Sequence, residues 1–73
     1  MSGHGVVLFH TTSAAMRAEK VAKKAGLDVK LIPTPRQLSS DCGIALRFNR
    51  EEGDDVRNVL DEARVEYDGL RKI

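Results

Sequence analysis

Cys42 is the only cysteine among 73 residues, and it stands in a polar run, Ser39-Ser40-Asp41-Cys42-Gly43. A lone thiol has two ordinary fates. Buried, it acts as a small hydrophobe. Ionised and reachable from solvent, it is a nucleophile toward another sulfur. The surroundings suit the second fate. The hydroxyls of Ser39 and Ser40 can hydrogen-bond a sulfur anion, and Arg36 can place a cation over it. Asp41 pushes the other way. Gly43 would admit a backbone conformation closed to other residues and let a second molecule come close. The plainer account of Gly43 and the serines is that they build a turn.

His4 and His10 raise two further chemistries. With Cys42 and Asp41, His10 would complete a set of three metal ligands. No Cys-x-x-Cys or His-x-x-x-His spacing accompanies them, so no metal is expected. His10 could also serve as a base for Cys42. No Asn or Asp stands evidently ready to orient its imidazole, so an independent enzyme is the weaker reading.

These residues must be positioned by a chain in which strand and helix signals alternate. Gly5-Val-Val-Leu-Phe-His10 reads as a first strand. Thr11, Thr12 and Ser13 each offer a hydroxyl to cap the helix that follows. Ala15, Ala18, Ala22 and Ala25 recur at helical spacing, Glu19 and Lys23 form an i,i+4 pair, and Gly26 ends the helix. Residues 29–32 are a second strand, stopped by Pro33-Thr-Pro35. In 43–48, Ile44, Leu46 and Phe48 alternate with Ala45 and Arg47 as a third strand. Val56, Val59, Leu60 and Ala63 mark a second helix. A weaker strand follows from Val65, with Val65, Tyr67, Leu70 and Ile73 inward. The order β-α-β-β-α-β predicts an α+β, ferredoxin-like sandwich: four strands, with two helices on one face.

That topology places the loop after the first strand, with His10, Thr11 and Thr12, at the same end as the loop carrying Arg36 to Gly43. Cys42 is therefore expected near the start of the first helix, where free N–H groups favour an anion. A free thiol has a pKa of about 8.5, so roughly 3% is thiolate at pH 7. A helix terminus lowers that by at most about 0.7 units. The expectation is a moderately activated thiol.

The remaining composition bounds the class. The length suits one domain spanning residues 1–73, with 1–4 expected to be disordered. One cysteine cannot form an internal disulfide, which points to a reducing cytoplasm. No apolar run approaches a membrane span, and the first ten residues do not resemble a signal peptide. Hydrophobic residues make up 41% and charged residues 32%, which marks a folded domain. The net charge of +1 gives no sign of nucleic-acid binding. Charge is uneven along the chain. Residues 14–36 hold six bases and two acids, whereas 49–73 hold five bases and eight acids. Such asymmetry is usually two solvated helix faces; it could also be a basic face that steers an acidic partner.

Several short runs share one likeness: Phe9 with Thr11 and Thr12; Ala15, Ala18, Glu19 and Lys20; Ile32 to Arg36; Ser39-Ser40-Asp41-Cys42-Gly43; and Leu46 to Phe48. Together they resemble the selenium/sulfur carrier-like family of small single-cysteine proteins. The likeness runs from residue 6 to 73, and its most specific part is Pro33-Thr-Pro-Arg36 with Ser39-Ser-x-Cys-Gly43. The resemblance implies that Cys42 accepts sulfur or selenium as a persulfide or perselenide, stabilised by Arg36, Ser39, Ser40, Gly43, Thr11 and Thr12. It also implies a donor, a cysteine desulfurase or selenocysteine lyase, and a recipient, selenophosphate synthetase or a sulfur-acceptor protein. Such a shuttle needs no cofactor and no metal. A second cysteine could displace the cargo and close a disulfide, so the single thiol fits a carrier better than a dithiol reductase.

The competing reading is a non-catalytic module in which Cys42 is structural. The uncovered sheet face would carry Val6, Leu8, Ile32, Ala45 and Tyr67, interrupted by Lys30 and Arg47, and could support a homodimer. RNA binding ranks third, because Phe9 and Phe48 fall on core-facing positions and leave no stacking platform.

Overall fold

The computed structural model of the chain describes residues 3–38 and 43–72. Their order is β1 (His4–Leu8), α1 (Thr12–Lys24), β2 (Val29–Pro33), β3 (Ile44–Asn49), a 3-10 turn (Arg50–Glu52), α2 (Gly53–Glu62) and β4 (Gly69–Lys72). The strands form one sheet in the order β2-β3-β1-β4, with every neighbouring pair antiparallel. This is the ferredoxin-like arrangement expected from the sequence.

Alternation along the strands assigns each side chain to a face. Val7, Leu46, Phe48 and Val29 lie against the helices and join Phe9, Ala15, Ala18, Ala22, Val56, Leu60 and Val65 in the main core. Three alanines on α1 are fully buried, so no side chain holds the helix away from the sheet. Gly5 has a packing role on the same face. A Cβ there would lie 2.5 Å from Phe48 Cζ, so the Phe48 ring occupies the space a side chain would need.

Both helices end in the same way. After α1, the Gly26 amide donates to the Lys23 carbonyl and the Leu27 amide to the Ala22 carbonyl, each at 3.0 Å. After α2, the Arg64 amide donates to the Asp61 carbonyl at 3.1 Å and the Val65 amide to the Leu60 carbonyl at 2.9 Å. Each is a Schellman cap with its turning residue in the left-handed region. The turning residue is Gly26 (φ 86°) in one and Arg64 (φ 56°) in the other.

Four expectations change. The last strand begins at Gly69, not Val65: the left-handed turn at Arg64 sends Val65 back into the core beside Leu60, so 65–68 form a connection. His4 does not belong to a loose start, because it pairs with Asn49 as the first residue of β1. The helix-free face is not an open apolar surface. Val6 and Ala45 are fully buried and Leu8 is 1% exposed, with Ile32 and Leu38 packed against them. Tyr67 does not join that face. It packs on the helix side, where its hydroxyl donates to Asp61 Oδ1 at 3.0 Å. Among the described residues, no helix is long and apolar enough to cross a membrane.

Candidate functional site

The register brings three chain segments to one rim of the sheet. Leu8 at the end of β1 pairs with Ala45 near the start of β3 and with Gly69 at the start of β4. Pro33 at the end of β2 pairs with Ile44. The start of α1 and the loop between β2 and β3 therefore leave the same rim, as the topology required.

Cys42, Ser39 and Ser40 lie outside the described residues, as does Asp41. The two roots of their loop are described. The Thr34 amide donates to the Gly43 carbonyl at 3.0 Å, which extends the β2–β3 ladder by one bond and closes the loop at its base. The Leu38 amide then donates to the Pro35 carbonyl at 3.0 Å. That bond makes Pro35-Arg36-Gln37-Leu38 a β-turn, with Arg36 and Gln37 exposed at its corner. From this turn Leu38 reaches the helix-free face and packs with Val6, Leu8 and Ala45. The loop is thus held at both roots and by one apolar anchor.

Gly43 is exposed, and a Cβ built on it would meet nothing within 4 Å. Its φ is not positive, since Gly26 is the one positive-φ glycine among the described residues. The special backbone conformation expected of Gly43 is therefore not used. What remains is open space beside Gly43 at the root of the loop.

Thr11 caps α1 from an extended conformation, its hydroxyl oxygen accepting from the Ala14 amide at 3.1 Å. That oxygen is committed to the helix; its own O–H proton is the group it could offer an anion. Thr12 is the first helical residue and is exposed. Both stand on the helix side of the rim, whereas Leu38 draws the β2–β3 loop toward the other face. The structure thus gives Thr11, Thr12, Arg36 and Gly43 a common rim and distributes them over its two sides.

Two contributors were not foreseen. Asp68 precedes β4, and its amide donates to the Leu8 carbonyl at 2.6 Å. This sets its carboxylate beside His10, with Asp68 Oδ1 3.7 Å from His10 Nε2. The expectation that no acid stands by His10 is corrected. No sequence spacing could have found Asp68, because the β1–β4 register creates the pair across 58 positions of chain. The His10–Asp68 pair sits over β1 and β4, while the cysteine loop springs from β2 and β3. Leu38 did carry a signal, as the one aliphatic side chain between Pro33 and Gly43. Among the described residues, no group of three His, Cys, Asp or Glu is arranged to hold a metal ion.

The one perturbed titration among the described residues is that of Tyr67, one residue before Asp68 and on the helix side. Burial raises the Tyr67 pKa above its ordinary 10.0, its hydrogen bond and proximity to Asp61 raise it further, and Arg57 partly offsets them.

The family model described as "Putative Se/S carrier protein-like" matches residues 4–72. No curated protein matches the chain, and no solved structure does.

Proposed function

The chain belongs to the Se/S carrier protein-like family, and from that membership we propose that Cys42 is the atom-carrying residue. The observation that carries this reading is that the match runs through the chain's single thiol. In the proposed step, the Cys42 thiolate attacks the terminal sulfur of a persulfide on a donor cysteine. A bond forms between Cys42 Sγ and that sulfur, the donor's S–S bond breaks, and the donor thiolate leaves. No electrons enter or leave the pair. A perselenide donor reacts in the same way. In the second step an acceptor nucleophile takes the terminal atom, and Cys42 is a thiolate again.

The requirements of this chemistry agree with the described surroundings. The loaded anion needs donors, for which Arg36, Ser39, Ser40 and the Thr11 and Thr12 hydroxyls are proposed. It needs access, and Gly43 stands in open space at the loop root. On either side of the loop, the Thr34–Gly43 bond and the packing of Leu38 fix the described residues from which it springs. The donor is proposed to be a cysteine desulfurase or selenocysteine lyase, and the recipient selenophosphate synthetase or a sulfur acceptor. A reducing cytoplasm is the setting in which a lone thiol stays available for such exchange.

The test is intact-mass measurement after incubation with a cysteine desulfurase and cysteine, or with a selenocysteine lyase and selenocysteine. The wild type is expected to gain a sulfur or selenium atom that a thiol reductant removes. Cys42→Ser is expected to fold normally and gain none. A wild type that stays at its starting mass with both donors would end the carrier reading and favour the non-catalytic module.

A further inference from the structure

The helix-free face carries a row of cations that the linear sequence scatters. Lys30 on β2 pairs with Arg47 on β3, Arg47 pairs with Val6 on β1, and Val6 pairs with Arg71 on β4. These four positions form one line across the sheet, and three of them are basic. The line spans about 14 Å at ordinary strand spacing. Among the described residues, no acid occupies a ladder position in any strand.

Lys30 and Arg47 are direct cross-strand neighbours, an arrangement that like charges make unfavourable. Among the described residues, none of the three cations makes an ion pair with a carboxylate. Arg71 is turned along the face. Its Nη1 donates to the Leu70 carbonyl at 3.0 Å, and a Cβ on Gly69 would lie 2.6 Å from that nitrogen. The guanidinium therefore lies over Gly69, toward the rim from which the cysteine loop springs. Along β3, Arg47 stands four residues from Gly43, about 13 Å at the rise of a strand. Between them lies the apolar cluster that Leu38 closes.

We propose that the basic row on this face is a docking surface for an acidic protein segment, with carboxylates over Lys30, Arg47 and Arg71. The inference takes its partner from the carrier reading: a protein exchanging an atom with Cys42 has to lie close to this rim. Charge complementarity selects an acidic occupant. Nucleic acid is disfavoured because no aromatic residue stands at a ladder position on this face; Phe48 points to the helices. A surface of this kind acts chiefly on encounter rate and orientation.

The experiment uses reduced, isotopically labelled protein with no sulfur donor, so it can fail independently of the carrier reading. The protein is titrated at low salt with a blocked octaglutamate peptide and, separately, with octauridylate, and backbone amide shifts are followed. Saturable shifts in 29–32, 44–48 and 69–72 are expected with the peptide, weakening as salt rises. Lys30→Gln combined with Arg71→Gln should lower the affinity about tenfold, two surface ion pairs' worth. Both residues are exposed on edge strands, and the dispersion of the same spectra reports folding. Lys20→Gln with Lys24→Gln on α1 should leave the affinity unchanged. Shifts centred on α1, an unchanged affinity in the sheet variant, or tighter binding of octauridylate than of the peptide would each overturn the proposal.

Discussion

Val6 and Val7 are neighbours on β1 and both are fully buried, yet different parts of the chain bury them. Val7 lies under α1 and α2 in a core that includes Phe9, Leu46, Phe48 and Leu60. Val6 lies on the other face with Leu8 and Ala45, against Ile32 and the loop residue Leu38. Regular elements packed by many large side chains make the first face. A much smaller cluster, with Ile32 and one side chain from a turn packed against it, makes the second. The first face decides whether the protein folds. The second ties the cysteine loop to the sheet and leaves a basic row beside it.

The comparison predicts unequal costs. Phe9→Ala should destabilise by about 3–5 kcal/mol, the usual range for emptying a buried aromatic site. In a domain this small that removes a large share of the total stability. Leu38→Ala should cost only about 1 kcal/mol, because the side chain is half-buried. The two should also differ in kind. Leu38→Ala should speed hydrogen exchange of the Thr34 amide, which closes the loop, while the α1 amides keep their protection; Phe9→Ala should raise exchange throughout. Urea denaturation and native-state exchange check both, and equal costs at the two sites would dissolve the distinction between the faces.

The helical layer contains a sharper comparison of the same sort, between its two Schellman caps. Gly26 turns in the left-handed region with nothing near its missing Cβ, whereas Arg64 turns there with a side chain. A non-glycine residue in that conformation costs about 1 kcal/mol or more. Arg64→Gly should therefore stabilise the protein by about 0.5–1 kcal/mol after the added freedom of the unfolded chain is counted. Gly26→Ala should destabilise it by about 1 kcal/mol. Thermal melts read both, and a loss of stability in Arg64→Gly would mean that the arginine side chain contributes more than its backbone costs.

The smallest expected effect concerns Tyr67. Its pKa is raised in the folded state, chiefly by burial and then by Asp61. The folded protein therefore holds the phenolic proton more tightly than the unfolded chain does. The resulting stabilisation is fully present below about pH 10 and is lost as pH rises through the folded value. Tyr67→Phe should show a shallower loss of stability above pH 10 than the wild type. Identical alkaline limbs would place the Tyr67–Asp61 bond outside the energetics of folding.

Much of the architecture was readable from short-range pattern. The alanine spacing on α1, Gly26 at its end, and the alternation in Ile44–Phe48 follow from local sterics and period, and they led to the correct element order. β4 was misplaced because no glycine marks the end of α2. The cap forms on Arg64, where the packing of Val65 against Leu60 overrides backbone preference. Part of the rim was legible too: strand order alone brought the segments of Thr11, Thr12, Arg36 and Gly43 to one end of the sheet, though not to one side of it.

By itself, the order of residues determined which elements form, that a single thiol sits between two strands, and which family the chain resembles. Each of these depends on neighbours a few positions apart. The tertiary structure alone decided that Asp68 meets His10, that Leu38 closes the second face, and that Lys30, Arg47 and Arg71 fall in one row. The sequence puts Lys30 in a basic stretch, Arg71 in an acidic one and Arg47 between the two. Hydrogen-bond register joins them, because the ladder fixes which distant residues stand side by side whatever their separation along the chain.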